Sequence, residues 1–588
     1  MCGIVGYIGR EKALPRVITG LKFLEYRGYD SAGVAYVKDK SVTIKKEVGR
    51  ISNLEKLLNI SEDTNIGIGH TRWATHGIPS VVNSHPHQVG KFTVVHNGII
   101  ENYVSLKEKM VKEGIDFQSD TDTEVIPALL DYYYQQEKDI LKSINKTINE
   151  LEGSYAIGII CEDDLKHLYA ARLGSPLIIA SDSSGYFIAS DVPAILNYTN
   201  KYILLDEGEF AKISVDEVVV YNNKLENVKK EELTFEGSQD AAMLNGYEHY
   251  MLKEIHEEEK VFLDTLNYYV ENNQFKNTMP AFRDYEKIHI VACGSAYYVG
   301  NIAKNLIEEF ANIPVTVEVA SEYRYQNNFY DNNTLVIIIS QSGETADSLA
   351  ALKKAKEDGI DTLAIVNVVG SSIAREAKYT MYVKAGPEIA VATTKAFLAQ
   401  ATLLSLLAVR FSKKEELLKE YVGMEKHIAD LLSRDYWDYA KDIYQHENAF
   451  FIGRSVDYAL SLEGSLKLKE TSYINSVAFQ AGELKHGSIS LITDGTPVIG
   501  ICTKSAIASK TISNIKEVKS RNAYVLFLTN EFVQDDFYDK IIILPKVHNL
   551  IMPIISVIPL QLIAYEVAKL RNCDIDKPRN LAKSVTVE

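Results

Sequence analysis

Thr334-Leu-Val-Ile-Ile-Ile-Ser-Gln-Ser-Gly-Glu-Thr345 opens on a β-branched apolar run and closes on hydroxyl residues around a glycine. The run reads as a buried strand, and the residues after Thr345 read as a helix. A strand feeding a helix through a Ser/Gly loop is half of a βαβ unit. The pattern recurs. Thr496-Pro-Val-Ile-Gly-Ile-Cys-Thr-Lys-Ser505 leads through a helical stretch to Leu526-Phe-Leu-Thr-Asn530, as the first copy leads to Ala364-Ile-Val-Asn367. The strands ahead of each copy also match, Ile288-His-Ile-Val-Ala-Cys-Gly-Ser295 against Ala449-Phe-Phe-Ile-Gly-Arg-Ser455. Two copies of one α/β doubly wound sheet domain are expected, at 284–415 and 446–572. Chance similarity between unrelated βαβ units is the alternative.

Working outward, residues 1–236 change character. Strands are expected at 3–8, 66–69, 92–95, 155–160, 177–180 and 202–205. Helices are expected at 13–26 and 123–136. Mixed strands with few helices predict a layered α+β domain. A polar stretch at 236–240 begins a linker, 237–283, which continues as a charged helix at 248–269. Residues 416–445 form a second connector, and 573–588 a C-terminal tail.

Composition narrows the class. A length of 588 residues suggests about four units by the rough one-per-150 rule. A net charge of -16 argues against a nucleic-acid surface, which needs a basic footprint. Five cysteines, odd in number and widely spaced, fit a reducing cytosol better than a disulfide framework. Arg10, Glu11 and Lys12 interrupt the N-terminal apolar run too early for a signal peptide. The apolar stretch 550–570 contains Pro553, Pro559, Gln561 and Glu566, and 397–409 lies between Lys395 and Arg410. Both read as buried helices rather than membrane spans, so a cytoplasmic location without membrane attachment is expected.

Several residues carry chemistry. If Met1 is removed, Cys2 holds a thiol and a free α-amine on one residue. An α-amine titrates at about 7.7–8.0, so it can serve as a local base. The bland reading of Cys2 is a small residue that begins a strand. The loop Ser340–Thr345 offers hydroxyls and a helix N-terminus, which suit a phosphate. No Walker lysine and no G-x-G-x-x-G accompany it, so a sugar phosphate fits better than ATP or a dinucleotide. A plain Ser/Thr helix cap is the alternative. The matching loop Thr503-Lys-Ser505 lacks the Ser-Gly-x-Thr ending, so only the first copy need hold phosphate. Lys467 and Glu470 share a helix face and could shuttle a proton, or form a solvated ion pair. Four of the 13 histidines, His70, His76, His85 and His87, crowd together. Gly77, Pro79 and Pro86 break any helix there, and no metal motif is present. The histidines read as hydrogen-bonded scaffold rather than a metal site. Asn97-Gly98 reads either as a hairpin turn or as an oxyanion hole built from an amide and a backbone N–H.

Together these strings resemble the isomerising glutamine–fructose-6-phosphate aminotransferases, the glucosamine-6-phosphate synthase family. The resemblance rests on Cys2-Gly-Ile-Val-Gly6, Leu24-Glu-Tyr-Arg-Gly-Tyr-Asp-Ser-Ala-Gly33, His70-Thr-Arg-Trp-Ala-Thr-His-Gly77 and Val95-His-Asn-Gly-Ile-Ile-Glu-Asn102. It continues through Ser340–Thr345 and Gly482-Glu-Leu-Lys-His-Gly487 to Arg579-Asn-Leu-Ala-Lys-Ser-Val-Thr-Val-Glu588.

The resemblance implies a class II glutamine amidotransferase domain of layered αββα, N-terminal-nucleophile type, followed by two sugar isomerase (SIS) domains. It implies conversion of D-fructose 6-phosphate and L-glutamine to D-glucosamine 6-phosphate and L-glutamate, the first step toward UDP-N-acetylglucosamine. Cys2 would attack the glutamine amide, and Asn97 and Gly98 would hold the oxyanion. Arg72 would bind the substrate carboxylate, Asp122 its ammonium, and Trp73 would gate an ammonia channel. Ser340, Gln341, Ser342 and Thr345 would hold the sugar phosphate with Ser295. Glu470 would move the proton between C1 and C2, supported by Lys467. His486 would come from a neighbouring subunit of a homodimer, and Lys583 would form a Schiff base with the ketose. No metal, nucleotide or organic cofactor is implied. The family's Cys-Gly-Thr-Ser-Tyr reads Cys293-Gly-Ser295-Ala296-Tyr297 here, so one phosphate contact would be absent or taken by water. The alternatives are an amidotransferase acting on another ketose phosphate and a non-catalytic sugar-phosphate sensor. An amidophosphoribosyltransferase is disfavoured, since no acidic diphosphate-binding loop follows a strand.

Overall fold

The computed structural model describes the chain except for residues 1, 75, 235–243, 329, 331–332, 532, 534 and 587–588. The polar stretch expected at 236–240 lies outside the described residues, as does Met1. The chain divides into two compact units, Met1–Ala242 with Ala582–Glu588, and Met243–Leu581.

Alternation of side chains builds the first unit. Along the strand Gly3–Gly9, Ile4 and Ile8 point one way, into a core shared with Ile66, Ile68, Val95, Ala156, Ile160 and Ile188. Those partners come from two sheets, so this core lies between them. Among the described residues one sheet has eight strands and the other seven. Gly3–Gly9 sits inside the first, antiparallel to Ile66–Arg72 and to Gly185–Ala189. Phe92–Ile100 lies in the second, antiparallel to Gly153–Cys161. On the outer face of the first sheet, the helix Ala13–Leu24 brings Gly20 against Val5, where a Cβ would approach within 2.9 Å. On the outer face of the second, helices Val125–Glu137 and Ile140–Glu150 pack over Phe92, Val94 and Tyr155. The layers run helix, sheet, sheet, helix.

The second unit holds two parallel sheets of five strands. In the first, Lys287–Ala292 lies between Val315–Val319 and Thr334–Ser340, followed by Asp361–Val366 and Tyr379–Tyr382. In the second, Asn448–Gly453 lies between Asn475–Gln480 and Pro497–Cys502, followed by Tyr524–Thr529 and Lys540–Ile543. Both have the order 2-1-3-4-5, so the repeat read from sequence is a repeat of topology. The β-branched runs are buried on both faces, as parallel sheets require.

One apolar core runs through both sheets and four long helices, Gly294–Ala311, Lys395–Ser412, Val456–Ser472 and Met552–Leu570. Lys395–Ser412 and Met552–Leu570 are long and apolar enough to cross a membrane by length and composition alone. Each has 83% of its apolar window buried inside the protein. Both are core helices, as their burial shows.

Candidate functional site

Strand register assembles the first site. Gly3 pairs with Thr71, so Cys2 lies level with Arg72 at the end of the neighbouring strand. The Gly3 N–H donates to Thr71 Oγ1 at 3.2 Å and fixes the start of the strand. The next backbone N–H, of Trp73, donates to Cys2 Sγ at 3.2 Å. From the other sheet, Asn97 Nδ2 donates to the Cys2 carbonyl oxygen at 2.9 Å. Cys2 therefore lies at the start of one strand, level with Arg72 on the next and bonded to the side-chain amide of Asn97 from the other sheet.

Asn97 and Gly98 lie inside the strand Phe92–Ile100, so the hairpin-turn reading is wrong. The partner strand Gly153–Cys161 supplies ladder bonds that override the turn preference of Asn-Gly. Gly98 has φ +133°, and a Cβ there would lie 1.9 Å from the Ser154 carbonyl oxygen. Only glycine fits that kink.

Arg72 is 3% exposed. Its Nη2 donates to the carbonyls of His76 and Gly77, while its buried Nη1 has no partner among the described residues. That leaves one guanidinium edge for an acceptor, and carboxylates suit such an edge. Asp122 Oδ2 accepts from the Ile100 N–H at 2.8 Å. Trp73 stands edge-on to Tyr29 at 6.3 Å. Burial pushes the Cys2 thiol up, with the Trp73 N–H and Arg72 pulling the other way. A thiol held in its protonated form needs a proton acceptor to react.

The expected histidine scaffold is a stack. His70 lies on His85 at 4.0 Å and 13°, and His87 meets His85 edge-on. His76 stands apart, against Tyr103. Burial lowers His70 to about 3 and drives His85 and His87 well below the usual histidine range. The stack is neutral at pH 7. No group of three or more metal-ligating side chains is arranged to hold an ion among the described residues.

The second site follows from sheet order. In a 2-1-3-4-5 sheet the chain leaves the first and third strands in opposite directions, and ligands bind in the crevice that this opens. The first strand leads into Ser295 and the third ends at Ser340. The Ser340 hydroxyl meets that of Thr345 at 2.9 Å and accepts from the Gly343 N–H at 3.1 Å. Ser342 Oγ accepts from the Glu344 N–H, and the Gln341 carbonyl from the Asn367 N–H. Gly343 has φ +66°, and a Cβ would collide with Ser371 Oγ at 2.0 Å. The helix Ala346–Glu357 starts at Thr345 without a side-chain cap, so the cap reading is not realised and the loop keeps its anion-binding geometry.

Beside this crevice the helix Val456–Ser472 carries Lys467, fully buried, 2.6 Å from Glu470 and 3.5 Å from Glu463. Ser295 Oγ donates to Glu463 at 3.1 Å and accepts from Lys467 Nζ at 3.2 Å. The solvated ion-pair reading of Lys467 fails on burial. Burial alone would lower the Lys467 ammonium, but the two carboxylates outweigh it and raise it. Burial pushes Glu463 up to about 7 against the opposing pull of Lys467. Sequence reading missed Glu463, although its spacing of four from Lys467 and seven from Glu470 marks one helix face. Ala296, which replaces the family's hydroxyl residue, packs on the apolar core.

His486 is exposed on a short turn, Glu483–His486. Lys583 belongs with the first unit, while Lys467 and Glu470 belong to the second. In the second sheet the loop matching the phosphate loop is already filled. The buried carboxylate of Asp457 accepts from the Thr503 N–H at 2.9 Å and from the Thr503 hydroxyl.

The SIS domain family model matches residues 281–410 and 442–571, and the glutamine amidotransferase domain model matches 75–197. Curated relatives align over the whole of both chains. The chain is 48% identical to the glutamine–fructose-6-phosphate aminotransferase [isomerizing] of Clostridium tetani. It is 43% identical to the proteins of the same name from Aquifex aeolicus and Thermococcus kodakarensis. Among solved structures, the C-terminal domain of glucosamine-fructose-6-phosphate aminotransferase from Francisella tularensis is 33% identical, with a TM-score of 0.54. It covers 57% of this chain and 99% of its own.

Proposed function

The chain belongs to the isomerising glutamine–fructose-6-phosphate aminotransferase family, and we propose from that premise how its residues divide the reaction. The enzyme converts D-fructose 6-phosphate and L-glutamine to D-glucosamine 6-phosphate and L-glutamate. Arg72 binds the glutamine α-carboxylate through its open edge, and Asp122 the α-ammonium. The Cys2 thiol adds to the side-chain amide carbon while its proton passes to the α-amine freed by loss of Met1. Asn97 Nδ2–H and the Gly98 N–H stabilise the oxyanion. Collapse of the adduct gives a thioester and ammonia, which takes that proton as it leaves. Water then releases glutamate and regenerates the thiol.

Ammonia reaches the sugar through a channel gated by Trp73, because protonation in bulk water would destroy its nucleophilicity. Ser340, Gln341, Ser342 and Thr345 hold the phosphate. Ser295, bonded to Glu463 and Lys467, adds a hydroxyl for the phosphate from the side of the carboxylate–lysine cluster. His486 of the partner subunit assists ring opening in a homodimer; Lys583 then forms a Schiff base with the open-chain ketose, releasing water, and ammonia displaces the lysine amine at C2 to leave the sugar imine. Glu470 takes the proton from C1 and returns it at C2, with Lys467 supporting its charge. The enzyme works in the cytosol, where all five cysteines stay reduced.

One observation carries the reading. A single chain holds Cys2 bonded at its carbonyl by Asn97 and at its thiol by the Trp73 N–H, and a buried lysine paired with a partly exposed carboxylate at the switch point of a parallel sheet. A sensor needs neither. Product analysis with glutamine and fructose 6-phosphate, on native and N-terminally tagged enzyme, tests it. Native enzyme yields glucosamine 6-phosphate. A tag ahead of Cys2 turns the amine into an amide and abolishes glutaminase turnover, and cleavage to expose Cys2 restores it. Full turnover with the tag shown intact by mass spectrometry would reject the α-amine as base.

A further inference from the structure

Asn97 can serve an oxyanion only with its NH2 side toward Cys2. Turned over, the same side chain presents an oxygen, and two partly negative oxygens repel. Its neighbour decides between these states. Asn97 Oδ1 lies 3.1 Å from His70 Nε2, and that nitrogen also lies 2.9 Å from the His96 carbonyl oxygen. A carbonyl only accepts, so Nε2 carries the ring proton. A donor facing Asn97 selects Oδ1 and sends Nδ2 to the other side, where it meets the Cys2 carbonyl oxygen at 2.9 Å. His70 has no exposure, and its Nδ1 is buried with no partner among the described residues. A buried nitrogen without a partner is unfavourable. An apolar ring would fill the stack on His85 without that penalty, so the stack alone does not account for an imidazole here.

We propose that His70 is a positioning residue for glutamine hydrolysis, its Nε2–H holding the Asn97 amide with the NH2 turned toward Cys2. The proposal rests on the reading of Asn97 as an oxyanion donor. Burial keeps the ring neutral, and the His96 carbonyl holds its single proton on Nε2.

The test compares His70→Leu with His70→Gln in the full-length enzyme. Both lose the ring, but only glutamine keeps an N–H donor near the Nε2 position. Loss of one oxyanion donor lowers kcat by about 10²–10³, so His70→Leu should lose at least ~30-fold in glutaminase kcat, with KM for glutamine changed less than about threefold. Alkylation of Cys2 by iodoacetamide, a displacement that forms no oxyanion, should stay within about twofold of wild type. His70→Gln should recover to within about fivefold of wild type. A His70→Leu enzyme within about threefold of wild type, or a folded His70→Gln enzyme as slow as His70→Leu, would overturn the proposal. Asn97→Ala separates the two readings. If it too keeps kcat, the oxyanion reading fails; if it alone is slow, only the positioning role fails. Should both His70 variants fail to fold, ring ¹⁵N NMR of the wild type decides. The Nε2–H tautomer is expected, and an Nδ1–H tautomer overturns the proposal.

Discussion

Glu470 and Glu463 sit on one helix face, bind one lysine, and are set apart by solvent. Glu463 is fully buried and pushed up to about 7, whereas the Glu470 side chain keeps 20% exposure and can reach a ligand in the crevice. Exposure therefore favours Glu470 over Glu463 for the proposed proton-moving role. Glu470→Gln should leave glutamine hydrolysis unchanged and lower glucosamine 6-phosphate formation by about 10²–10⁴, the usual contribution of a general acid/base. Coupled assays of glutamate and glucosamine 6-phosphate check both halves, and a synthase loss under about threefold would return Glu470 to a structural role. Lys467 and Glu470 were legible as a pair three apart, but not their burial. A helix face reads as solvated or buried only once it is known what packs over it. His70 was legible only as scaffold, since its bond to Asn97 joins residues 27 apart on different sheets.

At the scale of elements, the two parallel sheets share one topology and differ at the loop that follows the third strand. In the first copy, Ser340–Thr345 keeps its hydroxyls and an uncapped helix start. In the second, Asp457 places a carboxylate against the Thr503 N–H and hydroxyl, so the anion position is filled from within the chain. Sequence showed that the second loop lacks the Ser-Gly-x-Thr ending. It did not show the plug, because Asp457 lies 46 residues away. The two loops should respond differently. Ser340→Ala should raise KM for fructose 6-phosphate and, by unpairing the buried Gly343 N–H, also lower the melting temperature. Asp457→Ala should leave that KM unchanged and destabilise the second unit by roughly 1–3 kcal/mol, as expected for buried donors left unpaired. Steady-state kinetics and thermal unfolding of both variants check this, and a sugar-phosphate KM that follows Asp457 would show the second loop to be in use. The strand Phe92–Ile100 teaches the converse. Asn97-Gly98 is a strong turn signal, yet nine paired residues hold it in the sheet.

At the scale of the molecule, the two units bury opposite kinds of titratable group. The first keeps His70, His85, His87 and His96 neutral by burial, below their ordinary pKa. Unfolded histidines take up protons below about 6.5 and the folded ones do not, so the stability of this unit is complete above 6.5 and declines as pH falls toward 3. His70, His85 and His87 each contribute about 1 kcal/mol of that loss at one pH unit below the unfolded value, and His96 adds in the same direction. The second unit carries the reverse case. Burial raises Glu463 to about 7 and lifts Glu258 well above the carboxylate range. The contribution of Glu463 is complete below the unfolded value near 4.5 and is lost as pH rises through 7, and Glu258 acts in the same direction. Between pH 8 and 5.5 the melting temperature of the first unit should therefore fall by several degrees, while that of the second holds or rises. The chain has two tryptophans, Trp73 in the first unit and Trp437 in the second. Trp437→Phe leaves fluorescence from the first unit alone, and Trp73→Phe from the second alone. Melting curves of these two variants across that pH range should diverge in sign. Parallel shifts would mean that the buried histidines and glutamates do not govern the acid response. Glu463→Gln, which removes one titrating group, should flatten the pH dependence of the second unit and leave that of the first unaltered.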